Sequence, residues 1–189
     1  GGYQGPSRLF AFNLHPDGFW DVGTNSTPGT FAYPGAIGFS FIGALQVWNG
    51  SGFDSATNTM TVQFGPDSAT SGAGEVEGFA TSVRSPETGH PETQWGRHHV
   101  HSDYFLTGGP PQDGIYMIEM TLWYEPGAGN AVTYGASESF WAIFNHNQSE
   151  SDVLLAKDWV QLNLIPAPGV LALLALAGFG GRRRRTVGG

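Results

Sequence analysis

The chain has 189 residues, 40% of them hydrophobic and 13% aromatic, which is enough to bury one sizeable core and too apolar for intrinsic disorder. It has no cysteine, which excludes disulfides, thiolate metal sites and cysteine nucleophiles. Its formal charge of −8 is divided unevenly: Arg182, Arg183, Arg184 and Arg185 are four of the eight basic residues, so the remainder sets four basic residues against sixteen acids, a net −12 that repels phosphate backbones and argues against nucleic acid as a partner.

The opening Gly1-Gly2-Tyr3-Gln4-Gly5-Pro6 reads as a processed or truncated start, and an export signal is expected in the precursor. Runs of strand character then follow one another, bounded by turn residues. They are Ser7 to Leu14, a stretch within Ala36 to Trp48 bent at its glycines, Thr57 to Phe64, Glu75 to Val83, His98 to Leu106, Ile115 to Tyr124, Ser139 to Phe144 and Trp159 to Leu164. Turn clusters separate several of them, among them Ser26-Thr27-Pro28-Gly29 and Gly108-Gly109-Pro110-Pro111, where Gly supplies positive φ and Pro fixes its own φ. Ile115 to Tyr124 alternates by period two, with Tyr116, Ile118, Met120 and Leu122 on one face. Phe140 to Phe144 is apolar on both faces and reads as a central, doubly covered strand. Ser149 to Asp158 predicts one or two helical turns, capped by Ser151 or Asp152. About eight strands at this spacing predict an all-β, antiparallel two-sheet sandwich of jelly-roll type over residues 1–164, with no long helix.

From Ile165 the character changes. Pro166-Ala167-Pro168 breaks the chain, Gly169 to Gly181 is almost wholly apolar and rich in the helix formers Leu and Ala, and four arginines follow. A helix apolar on all sides must be buried in protein or lipid, and a soluble core cannot absorb the arginines. The run is shorter than the roughly 20 residues a permanent span needs. It suits a transient anchor, with the arginines kept cytoplasmic and the β-domain outside. This three-part order over about 165–185 resembles the PEP-CTERM sorting signal, with Ala167 where the usual core has Glu. The resemblance implies an exosortase-type processing enzyme as partner, passage through the inner membrane, and delivery to the cell envelope, the surface or the extracellular matrix. The segment from His99-Val100-His101 through Ser139-Phe140-Trp141 to Lys157-Asp158-Trp159, within about 97–160, more loosely resembles uncharacterised envelope proteins of the same group.

Chemistry-bearing residues are sparse. In a strand His99, His101 and Asp103 share one face, and His-x-His is a metal-site spacing suited to zinc or copper, with His146 expected as a third ligand. The alternative is a polar strand face that holds no ion. Glu75 and Glu77 share a face but lie in an acidic chain, so a solvated strand is the ordinary explanation and glycoside hydrolysis the remote one. There is no Gly-x-Ser-x-Gly elbow and no phosphate-binding glycine loop. Of the six tryptophans, Trp20, Trp48 and Trp95 lie in or beside loops and are candidate stacking platforms for extracellular polysaccharide; Trp123, Trp141 and Trp159 lie in strand-like runs, where packing is the default. The expectation is a non-enzymatic exported sandwich, with metal binding or carbohydrate binding as alternatives.

Overall fold

Residues 8–13 and 19–165 are described by the structure, a computed structural model. In chain order the elements are β1 (Leu9–Asn13), β2 (Phe19–Asn25), β3 (Gly35–Ile42), β4 (Gln46–Trp48), β5 (Phe53–Ser55), β6 (Thr59–Phe64), β7 (Asp67–Thr70), β8 (Glu75–Ser82), β9 (His99–Thr107), β10 (Gly114–Pro126), β11 (Phe140–His146) and α1 (Glu150–Asn163). One sheet runs β1-β11-β10-β3-β8, with β4 paired to β10 and β5 to β4; the other runs β2-β9-β6-β7.

The pairing is nested. β6 pairs with β7, β3 with β8 and β2 with β9, while β1 and β10 face each other across β11. Successive strands from β1 to β3 alternate between sheets, as do those from β7 to β10. A long antiparallel hairpin rolled up in this way is the jelly-roll arrangement expected from the sequence. One departure is β11, which slots between β1 and β10 and lies parallel to β1. The sandwich is therefore not antiparallel throughout. A strand inserted between two antiparallel partners must run parallel to one of them.

Period-two alternation builds the core from both sheets. Phe39 and Phe41 of β3, Met60 and Val62 of β6, Tyr104 and Leu106 of β9, Tyr116, Ile118 and Met120 of β10, and Ala142 and Phe144 of β11 form one buried cluster. Phe144 stacks on Tyr104 of the opposite sheet at 5.2 Å between ring centroids and on Phe12 at 5.3 Å. Close approach on the outer face of the larger sheet depends on Gly38, where any side chain would run into the Trp123 ring.

The outer positions of β10 and β11 are covered by α1. Ile115, Met117, Trp141 and Ile143 pack with Ala156 and Val160, so β11 is buried on both faces as its sequence predicts, and the outer face of β10 is covered over its first half. The helix begins at Ser149, whose hydroxyl accepts from the Asp152 amide at 3.2 Å, a cap of a kind worth about 1 kcal/mol. Val153, Ala156 and Val160 recur at helical spacing on the face toward the sheet. This corrects three expectations: the cap is Ser149 rather than Ser151 or Asp152, Trp159 to Leu164 is the end of a 14-residue helix rather than a strand, and the domain does contain a long helix. The apparent alternation of Val160, Leu162 and Leu164 misleads because Leu162 is 84% exposed. Strand β2 and the short strands β5 and β7 were not expected from the sequence. Among the described residues no helix is long and apolar enough to cross a membrane. The expected tail helix from Gly169 to Phe179, Pro166-Ala167-Pro168 and Arg182 to Arg185 lie outside the described residues.

Candidate functional site

Alternation along β9 sorts its histidines. Tyr104 and Leu106 face the core, so His99, His101 and Asp103 lie on the outer face of the smaller sheet. Their register partners on β2 are Asn25, Gly23 and Asp21, and Asp103 also lies opposite Gln63 of β6. The rings of His99 and His101 meet edge to face, 5.2 Å between centroids. His99 Nδ1 is buried without a hydrogen-bond partner. Partial desolvation, then the positive charges of Arg97 and Arg84, then His101 lower the pKa of His99, which favours its neutral form. The neutral form is the metal-binding form, although the same guanidiniums also repel a cation.

His146 does not join this pair. It ends β11 in the other sheet, opposite Gly114, where its Nδ1 donates to the Gln112 carbonyl at 2.8 Å and lies 3.4 Å from Asp113. Among the described residues no group of three or more His, Asp or Glu side chains is gathered as a metal site. His99 and His101 lie on the outer face of the smaller sheet and His146 at the end of a strand in the other sheet, so the structure does not bring the expected third ligand to the pair.

His98, one residue before β9, points inward and ties the sheets together. Thr24 Oγ1 of β2 lies 3.1 Å from its Nδ1, and Thr81 Oγ1 of β8 lies 2.7 Å from its Nε2. One hydroxyl at each ring nitrogen suits a neutral imidazole, which has one donor and one acceptor. Burial, with a smaller contribution from His99, pushes its pKa down to about 4.

The three tryptophans proposed as platforms separate in the structure. Trp48 packs against Phe53 at 5.2 Å and Trp159 at 6.3 Å, joining the β4–β5 hairpin to α1, so its ring is spent on packing. Trp20 lies on β2 opposite Tyr104, with its side chain outside the described residues. Trp95 sits in the loop between β8 and β9, its indole N–H donating to the His90 carbonyl at 2.8 Å and its ring 5.6 Å from Tyr33.

Trp95 belongs to an aromatic corner that the sequence did not reveal. The segments 26–34, 84–97 and 127–137 converge at one end of the sandwich. Gly29 and Phe31 amides donate to the Trp95 and Gly96 carbonyls, and the Gly127 amide donates to the Pro34 carbonyl. Asn130 Nδ2 donates to the Pro34 carbonyl at 2.8 Å and to the Tyr124 hydroxyl at 2.7 Å. The Tyr134 hydroxyl accepts from the Ala32 amide at 3.0 Å, and its ring meets Tyr124 edge to face at 4.8 Å. Tyr33 is 40% exposed and Tyr134 43%. Beside them a cleft of about 300 Å³ is lined by Pro34, Ser82, Ser85, Glu87, Thr88 and Glu125, among others. The overlooked signal was aromatic residues set among Gly, Pro and Asn in turn segments, where packing does not require them. Glu75 and Glu77, on the edge strand β8, are both exposed.

No profile of a known protein family matches the chain, and no curated protein sequence does. Among solved structures it is similar to the ASH / PapD-like domain of human CEP192 (PapD-like domain 7), at 14% identity over 77% of this chain and 84% of that one, with a TM-score of 0.43. A likeness of that size carries no functional argument.

Proposed function

We propose that the chain is an exported surface or matrix protein, in which a non-catalytic β-sandwich is delivered by a PEP-CTERM-type tail. The observation that carries this reading is the order of the last residues: Pro166-Ala167-Pro168, then the apolar run from Gly169, then Arg182 to Arg185. The apolar run is too short for a comfortable permanent span and its arginines favour the cytoplasmic side, so an exosortase-type enzyme at the inner membrane is the expected reader. The last described residues, Leu164 and Ile165, pack beside α1, and the break begins at the next residue, Pro166. An acidic body suits a hydrated extracellular matrix and disfavours nucleic acid.

The test is the mass of the C-terminus. When the chain, fused to an export signal, is produced in an exosortase-bearing host, mature protein is expected to lack Arg182 to Arg185, whereas an exosortase deletion strain retains them in the membrane fraction. Recovery of the intact tail from the soluble pool of the exosortase-bearing host would refute the reading.

A second reading, metal binding at His99 and His101, is favoured by the adjacent rings and the unpartnered Nδ1 of His99. The two imidazoles are the ligands this strand face brings together, and zinc or copper is the expected ion. Titration with Zn²⁺ or Cu²⁺ is expected to show uptake by the native chain that His99→Ala and His101→Ala abolish without altering the fold. Equal weak uptake by all three proteins would leave only a polar strand face.

A further inference from the structure

We propose that the corner formed by Tyr33, Trp95 and Tyr134, with the cleft beside Pro34, binds neutral polysaccharide chains, and that the Tyr33 ring is the stacking platform. The inference does not rest on the tail, since processing could fail while this site still binds.

A pyranose ring presents C–H groups on its faces and hydroxyls around its rim. A site for it therefore needs an exposed flat ring held still, beside groups that exchange hydrogen bonds. Both are present at this end of the sandwich. Tyr33 is 40% exposed, and Trp95 backs it at a ring separation of 5.6 Å. Trp95 is held in turn by its bond to the His90 carbonyl. Tyr134, the second exposed ring, is fixed by the Ala32 amide and by its edge contact with Tyr124. Rings held this way lose little rotamer freedom on binding.

The cleft supplies the polar part. Pro34, the residue after Tyr33, lines it, and so do Ser82, Thr88, Glu87 and Glu125. Its volume of about 300 Å³ lies at the lower end of small-ligand pockets and suits one or two sugar units. Charge selects the polymer. The cleft lining includes two glutamates and no Lys or Arg, and hydrogen bonds from its own backbone amide and from Ser85 hold the Glu87 carboxyl below the usual carboxylate range. Uronic-acid and sulfated polymers would be repelled there, and neutral hexose chains would not.

Native gels containing a soluble polymer test the site, with the full chain run through hydroxyethylcellulose, galactomannan, dextran or alginate. At least one neutral polymer is expected to retard the chain, with no retardation by alginate. Tyr33→Ala is expected to weaken retardation tenfold or more in apparent dissociation constant while thermal unfolding stays cooperative, and Tyr33→Trp to retain binding. Gln63→Ala, on the outer face of the smaller sheet, is expected to leave binding unchanged. Retardation by no neutral polymer, retardation by alginate alone, or full binding by folded Tyr33→Ala would each overturn the assignment.

Discussion

Phe144→Ala is expected to lower the unfolding free energy by about 3–5 kcal/mol. Phe144 has no exposed surface, and its ring lies between Tyr104 of the opposite sheet and Phe12 of β1. Alanine would leave a void at the join of the two sheets, and the aromatic neighbours on either side cannot close it without moving strands. A loss of that size is a large share of the 5–15 kcal/mol typical of a domain and corresponds to roughly 10 °C in Tm. Urea unfolding should show a lower midpoint at an unchanged slope. Leu162→Ala, at an 84% exposed position on α1, should stay within about 0.5 kcal/mol of the native chain. A Phe144→Ala cost under 1 kcal/mol would mean that the two sheets are not held together by this cluster.

Acid should destabilise the domain through His98. Its pKa is pushed down from 6.5 to about 4, so between those values the unfolded chain binds a proton that the folded chain refuses. The stabilising contribution is complete above pH 6.5, shrinks as pH falls towards 4, and changes no further below that. A depression of this size corresponds to roughly 3 kcal/mol across the window. The cause is burial of a ring that is only 7% exposed, with Thr24 and Thr81 placed to satisfy the neutral form. Stability measured at pH 7.5, 5.5 and 4 should fall steeply in the native chain. His98→Gln, which cannot be protonated, should start lower at pH 7.5 and fall less. Parallel pH profiles for the two proteins would show that His98 is not the source. His99, whose pKa is also lowered, acts in the same direction, so the difference between the profiles is the measure.

Much of the fold was legible because it is written in short-range periodicity. The alternation in β10 and the doubly apolar run in β11 placed both strands, and burial of β11 on both faces followed. The same reasoning failed at Trp159 to Leu164, where six residues fit a period of two or of 3.6 about equally well and the Ser149 cap outside that run decided the matter. The site was less legible. His99 and His101 are neighbours because a strand makes them so, but the position of His146 depended on which sheet receives β11.

By itself, then, the sequence determined the β-rich character, the acidity of the body, the lack of thiol chemistry and the order of Pro-Ala-Pro, apolar run and arginines in the tail. Each is a property of composition or of a few adjacent residues. Only the tertiary structure decided that β11 lies between β1 and β10, that His98 joins Thr24 to Thr81 across the two sheets, and that Tyr33 rests against Trp95. Those partners lie from 17 residues apart, for Thr81 and His98, to 132 apart, for Leu9 and Trp141. Local propensity carries no record of contacts at such separations; they form when burial of the shared core brings distant strands and their loops together.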